Sequence, residues 1–428
     1  MRQYRIRGGK RIAGQIVVGG AKNAVLPILA AVCLNKGESE IHNCPRIADT
    51  FLSIEILKHI GCRVDFIGNT LWVDTSGLCE INIPKEWVSQ MRSSILFMGA
   101  MLGREGQVNI AGPGGCDIGE RSICYHLEGL RAMGAEINYT DGILHCKGTL
   151  KGADIRLQTA SVGATENLML AGVLAKGRTV IFNAAKEPEV VDVARFLKGM
   201  GANIRGAGTE KITIDGVHRL VSTTHKVMPD RIVAGTYLVA AAMTAGEIEL
   251  VGARPQDMVP VTTRLAEMGC EIGHDINKVS LRGPKRLKAL PYLETAEYPG
   301  FPTDMQAQFV AALSLAEGNS IVKEMIFDSR HAHAAELRLM GADIDAYRAP
   351  SCDESKKSAT IFEIQGRPAL RGAAVTAKDL RGGAALVLAG LAARGETVVQ
   401  DAHFVERGYE CIEKDLSGVG ADVVLEVV

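Results

Sequence analysis

The chain has 428 residues, 47% hydrophobic and 23% charged, which is enough apolar material for two ordinary cores. Its 48 Lys and Arg stand against 49 Asp and Glu, which excludes a global field drawing it to nucleic acid or an anionic membrane, so an anionic ligand must be held by local charge. The 10 cysteines form no CxxC pair and read as reduced thiols, and with neither a signal-type N-terminus nor a run of about 18 apolar residues the protein is expected to be cytoplasmic, with no membrane segment.

Along the chain two phrases alternate. The first is an Ala- and Leu-rich helix that stops at Gly and feeds a β-branched strand: KNAVLPILAAVCLNKGESEIHN, SSILFMGAMLGREGQVNIAG, ENLMLAGVLAKGRTVIFN, RIVAGTYLVAAAMTAGEIELVG, MQAQFVAALSLAEGNSIVKE and GGAALVLAGLAARGETVVQD. The second is an amphipathic helix ending in Gly, a small residue, a spacer and then Ile or Val, with its glycines at Gly61, Gly134, Gly201, Gly269, Gly341 and Gly420. A copy recurs about every 70 residues. Glycine after the last helical turn permits the left-handed conformation that ends a helix, after which an Ile/Val-rich run can pair in a sheet. The Ala-rich helices are apolar on most faces and belong inside. The pattern predicts an α/β protein of two similar domains, three units on each side of a midpoint near residue 230, with strands outside and helices inside. The polar stretch AYRAPSCDESKKSATIF, with Pro350, is expected to be an exposed loop.

In chain order, the first candidate for chemistry is GGAKNAVLP, where Lys22 and Asn23 follow two glycines and open a helix. Backbone N–H groups, the helix dipole and an ammonium together make an anion site, although a lysine at a helix start is ordinarily just solvated. NIAGPGGCDIGERS surrounds Cys116 with glycines and a proline, so neither a helix nor a central strand fits, and Arg121 can favour the thiolate. A turn that happens to contain a cysteine is the plainer reading. Asp304 in FPTDMQAQ is either a helix-capping carboxylate or a general base. Asp379 and Arg381 in KDLRGG and Arg407 in ERGYE are charges near helix starts, ordinarily explained by surface salt bridges. A P-loop, a GxGxxG fingerprint, HExxH and a GxSxG elbow are all missing, which removes support for nucleotide hydrolysis, hydride transfer, zinc proteolysis and α/β-hydrolase chemistry.

From about residue 3 to residue 425 the chain resembles the UDP-N-acetylglucosamine 1-carboxyvinyltransferase family: GAKNAVLPILAA, MRSSI, PGGCDIG, SVGATENLMLAG, KEPEVVD, PDRIVAGT, FPTDMQAQ, DLRGGAALVLAG and ERGYE occur in the family's order. The related 3-phosphoshikimate 1-carboxyvinyltransferases share the fold but lack the cysteine loop. The resemblance implies two inside-out α/β barrel domains of three βαβαββ repeats each, spanning 22–229 and, for the second, 1–21 with 230–428. It implies transfer of the enolpyruvyl group of phosphoenolpyruvate to the 3-hydroxyl of UDP-N-acetylglucosamine, the first committed step of peptidoglycan precursor synthesis, with no metal or organic cofactor. Cys116, Asp304, Lys22 and Arg407 would be catalytic. Lys22, Asn23, Arg92, Arg121, Ser122, Ile123, Cys124, Tyr125, Ser161, Val162, Gly163, Asp304, Ile326, Asp379, Arg381 and Arg407 would hold the two substrates. A monomer or a weak homo-oligomer fits.

The chain departs from the family pattern after Arg121, where Ser122, Ile123, Cys124 and Tyr125 replace the usual Pro, hydrophobic residue, Asp and Leu. Losing a proline and an aspartate there leaves two other readings open, an altered nucleotide-sugar acceptor or a non-catalytic sugar-nucleotide-binding regulator. Glu406 before Arg407 and FDSR in place of FENR are milder changes.

Overall fold

The computed structural model describes residues 2–114, 122–349 and 358–428. These gather into two compact units, one holding residues from Gly20 to Met228, the other holding the chain up to Gly19 together with Pro229–Val428.

In the first unit, three four-stranded sheets share one plan. Thr223–Lys226, Glu38–His42, Thr70–Asp74 and Arg63–Ile67 lie side by side, the first pair parallel and the next two antiparallel. The same order of pairings builds Asn82–Ile83, Gln107–Ala111, Ile143–Lys147 and Glu136–Thr140, and again Asp154–Arg156, Arg178–Phe182, Lys211–Asp215 and Asn203–Arg205. In strands such as Glu38–His42, Thr70–Asp74, Ile143–Lys147 and Lys211–Asp215 side chains alternate between core and surface, as one-sided sheets require. Three helices, Lys22–Ala31, Leu96–Glu105 and Val162–Gly172, are buried along most of their length. Their small residues let backbones meet: a methyl group on Gly99 would lie 2.3 Å from the Asn167 carbonyl oxygen.

The second unit repeats this with strands Ala13–Val17, Glu247–Val251, Lys278–Arg282 and Glu271–Asp275, with Tyr292–Glu294, Asn319–Glu324, Ala359–Gln365 and Asp343–Ala349, and with Ala374–Thr376, Glu396–Gln400, Arg2–Arg7 and Asp422–Val427. Its buried helices are Arg231–Met243, Gln306–Leu313 and Leu380–Ala392. Each unit is an inside-out α/β barrel, apolar helices within and sheets without.

All six glycines of the amphipathic phrase are left-handed, with φ between 88° and 101°. One helix end breaks the rule: in TAGEIE it is Ala245, at φ 49°, that takes the positive angle, while Gly246 is required because an added methyl would lie 2.5 Å from the Ile12 carbonyl oxygen. The expected loop over AYRAPSCDESKKSATIF is corrected at both ends. Tyr347 opposes Ile361 and Arg348 opposes Thr360 in antiparallel strands, because aromatic and β-branched residues flank the polar centre and prefer the pleat. Residues 350–357 lie outside the described ones.

Candidate active site

In the first unit Lys22 is the first residue of a buried helix, so its side chain leaves from the positive end of the helix dipole. It is only 8% exposed, which overturns the solvated alternative, and its Nζ lies 2.6 Å from Asp49 Oδ2. Asp49 is itself buried, in the first turn of the helix Ala48–His59. With the pair this dry, removing either partner leaves the other buried without it. Asn23 follows, half-buried.

Arg92 begins the short 3₁₀ turn Arg92–Ile95 and donates from Nη2 to the Ser122 carbonyl oxygen at 3.2 Å. Ser122 Oγ accepts from the Cys124 N–H at 3.1 Å, and Cys124 opens the helix Cys124–Ala132. Cys124 is exposed, whereas Ile123 and Tyr125 pack against the core. Ser161 caps the helix Val162–Gly172, its Oγ accepting from the Ala164 N–H at 3.3 Å, which places Val162 and Gly163 in the first turn. Gly163 faces His126, whose Cε1 would stand 3.4 Å from an added methyl. The ring of His126 is buried, bonds through Nδ1 to Asn167 Nδ2 at 3.0 Å, and is pushed down to about 3 by burial and by the Arg92 charge. It stays neutral at any ordinary pH.

In the second unit Asp304 occupies the 3₁₀ turn Thr303–Met305 that leads into Gln306–Leu313. It does not cap: its Oδ1 accepts from Arg330 Nη1 at 2.9 Å and its Oδ2 from Arg381 Nη2 at 3.1 Å. Burial raises its pKa, but the charges and hydrogen bonds of Arg381 and Arg330 outweigh that and hold the carboxyl well below the usual carboxylate range. Asp379 is the true cap, its Oδ1 accepting from the N–H groups of Arg381 and Gly382 at 3.0 and 2.9 Å. That turn sends Arg381 inward, where its side chain is only 2% exposed, with Nε and Nη1 finding no hydrogen-bond partner among the described residues and its guanidinium carbon 5.5 Å from the centre of the Tyr409 ring. A surface salt bridge is therefore the wrong explanation for Arg381. Arg407 ends the 3₁₀ turn Ala402–Arg407 and is half-buried, and its neighbour Glu406 pairs with Arg2 at 2.7 Å. Ile326 lies just beyond the strand Asn319–Glu324, its N–H given to Glu324 Oε1 at 2.8 Å.

The structure thus joins Lys22 to Asp49, Arg92 to Ser122, and Asp304 to Arg381. Cys116 and Arg121 lie outside the described residues. Sequence reasoning missed Arg330, Glu324, Asp49, His126 and Asn167. FDSR was noticed only as a variation on a motif, yet its arginine faces Asp304 as directly as Arg381 does. In the second unit two guanidiniums flank the Asp304 carboxylate, and in the first an ammonium meets the Asp49 carboxylate, an arrangement of charge that suits the handling of anionic substrates and of a hydroxyl proton.

Residues 6–416 match the family model described as EPSP synthase (3-phosphoshikimate 1-carboxyvinyltransferase). The chain is 51% identical over 427 residues to UDP-N-acetylglucosamine 1-carboxyvinyltransferase 2 of Caldanaerobacter subterraneus, covering 99% of both chains. It is 47% identical to UDP-N-acetylglucosamine 1-carboxyvinyltransferase 1 of Symbiobacterium thermophilum, over 98% of this chain and 94% of that one. Among solved structures, the enolpyruvyl transferase NikO from Streptomyces tendae superposes with a TM-score of 0.87 at 24% identity, over 100% of this chain and 99% of that one. An EPSP synthase from Acinetobacter baumannii gives 0.74 at 19% identity over 100% of both. These two likenesses bear on the fold alone.

Proposed function

Because the chain belongs to the EPSP synthase family and, within it, to the UDP-N-acetylglucosamine 1-carboxyvinyltransferases, we propose that it transfers the enolpyruvyl group of phosphoenolpyruvate to the 3-hydroxyl of UDP-N-acetylglucosamine, releasing phosphate, in the cytoplasm. The observation that carries the reading is the Asp304 carboxylate held ionised between Arg330 and Arg381, a proton acceptor beside cations that an anionic substrate can recruit.

In this reading the sugar hydroxyl attacks C2 of phosphoenolpyruvate and gives its proton to Asp304, while Cys116 supplies a proton to C3. Breaking the C2–O bond to phosphate and returning a proton from C3 restores the double bond as an enol ether. Lys22, Arg121 and Arg407 balance the phosphate charge, and positioned charge of this kind lowers the barrier without reorganisation at the moment of reaction. At rest Asp304 is a poor base, because two guanidiniums stabilise its anion. When a substrate anion draws on Arg330 or Arg381, that stabilisation weakens and the carboxylate gains basicity where the proton must go. Asn23, Arg92, Ser122 to Tyr125, Ser161 to Gly163 and Ile326 hold the nucleotide sugar, and Asp379 fixes the turn that aims Arg381.

The test is phosphate release from purified protein. Release is expected only when phosphoenolpyruvate and UDP-N-acetylglucosamine are both present, and Asp304→Ala should reduce it at least a hundredfold, in the range seen when a general base is lost. Equal release without the sugar would defeat the reading.

A further inference from the structure

Glu324 ends the strand Asn319–Glu324 and is fully buried, yet it is the most heavily engaged carboxylate near Asp304. Its Oε1 accepts from Thr295 Oγ1 at 2.9 Å and from the N–H groups of Ile326 and Phe327 at 2.8 and 3.1 Å. Its Oε2 accepts from Thr303 Oγ1 at 2.8 Å. Thr303 Oγ1 in turn accepts from Arg330 Nη1 at 2.9 Å, and the same Nη1 donates to Asp304 Oδ1 at 2.9 Å.

The proton directions in this chain are forced. A guanidinium only donates, so the Thr303 hydroxyl must accept from Arg330, and its single proton can then go only to Glu324. Glu324 Oε2 must therefore accept. Nη1 of Arg330 has two N–H bonds, and Thr303 and Asp304 use both. The guanidinium cannot swing from Asp304 without breaking its bond to Thr303, and Thr303 cannot turn without leaving Glu324.

We propose that Glu324 is a positioning residue for the transfer reaction: through Thr303 it fixes Arg330 against Asp304, and through the Ile326 and Phe327 N–H groups it fixes the segment that carries Arg330. The proposal rests on Asp304 being the proton acceptor. Charged groups facing this network are Arg381, which bonds Asp304, and the Arg330 guanidinium, which also lies within electrostatic reach of His333. Neither Arg381 nor His333 bonds Glu324 or Thr303, so the link from Glu324 to Asp304 runs through Thr303 and Arg330.

The experiment measures kcat and both KM values for Glu324→Gln, Thr303→Val, Thr303→Ser and the Gln/Val double variant, with circular dichroism to verify folding. In Glu324→Gln the amide oxygen can keep the bonds to Thr295, Ile326 and Phe327, but its NH2 can only donate to Thr303, so the Thr303 proton loses its acceptor, the charge-assisted bond becomes a neutral one, and the link to Arg330 loosens. Glu324→Gln and Thr303→Val should each lower kcat about tenfold or more, as small misplacements of a reacting group do, while the KM for phosphoenolpyruvate changes less than about threefold. Thr303→Ser, which keeps the hydroxyl, should stay within about threefold of wild type, and the double variant should be no worse than about twofold below the poorer single, because both changes cut one link. Additive losses, or folded Glu324→Gln with unchanged kcat while Asp304→Ala is inactive, would overturn the proposal alone. Near-normal activity in Asp304→Ala would instead sink the base assignment, and the proposal with it.

Discussion

Two carboxyls, half-buried Asp304 and buried Glu166, show how the same chemistry is driven in opposite directions by its neighbours. Asp304 has two guanidiniums and stays ionised. Glu166, in the helix Val162–Gly172, has its Oε1 buried with no hydrogen-bond partner among the described residues, and burial together with the charges of Glu189 and Glu187 raises its pKa well above the usual value. A carboxyl whose folded pKa is raised contributes stability that is complete below the unfolded value, about 4.5, and is lost as the pH climbs through the folded one. Glu166→Gln should therefore melt close to wild type at pH 5 and several degrees higher at pH 8; equal gaps at both pH values would refute the assignment. Lys22, Asp304 and Arg381 were legible as candidates because each stands at a helix start with turn residues before it. Their partners were not, because Asp49 and Arg330 reach them from elements tens of residues away, as Glu324 reaches Thr303, and sequence spacing carries no record of which carboxylate a cation meets. The resemblance supplied roles but not the Glu324–Thr303–Arg330 chain.

The repeating elements were legible because each unit ends its amphipathic helix in the same left-handed turn, a constraint that only glycine meets cheaply. Those glycines differ in surroundings. Gly201, at φ 97°, would place a methyl in open space, whereas Gly61, at φ 101°, would drive one to 2.4 Å from the Gly77 carbonyl oxygen. Gly201→Ala is expected to cost about 1–2 kcal/mol from the backbone angle alone. Gly61→Ala should cost clearly more, since backbone must shift as well, and denaturant titration giving equal losses would contradict this. The parallel partners were hidden from local pattern: Thr223–Lys226 joins Glu38–His42 across most of a unit, and Ala13–Val17 joins Glu247–Val251. The polar insertion misled because its Pro, Ser and Lys content spoke louder than the Tyr347 and Ile361 that flank it.

Across the whole molecule, each unit carries one buried neutral histidine. His126 is pushed down to about 3, chiefly by burial, and His333 to about 4, by burial and the Arg330 and His331 charges against the pull of Asp379. Among the described residues both ring nitrogens of His333 find no hydrogen-bond partner. A histidine held neutral in the fold costs nothing above its unfolded pKa of about 6.5; below that, stability drains as the pH falls, because the unfolded chain binds a proton that the fold refuses. Glu166 and Glu324, with raised pKa values, pull the other way over part of this range. Differences between variants isolate the histidine: wild type should lose more melting temperature from pH 7 to pH 5 than His333→Gln does, and identical slopes would count against it. The last sheet of the second unit has a consequence of another kind, because Arg2–Arg7 lies between Glu396–Gln400 and Asp422–Val427. Ribosomes make the middle partner first and its two neighbours last, so the opening segment must wait, unclaimed, through nearly all of translation, while residues 20–228 emerge with every strand of their own sheets in hand. Nascent chains should therefore acquire protease resistance in two stages, early for the inner portion and only near the end of synthesis for the portion that closes on its own beginning.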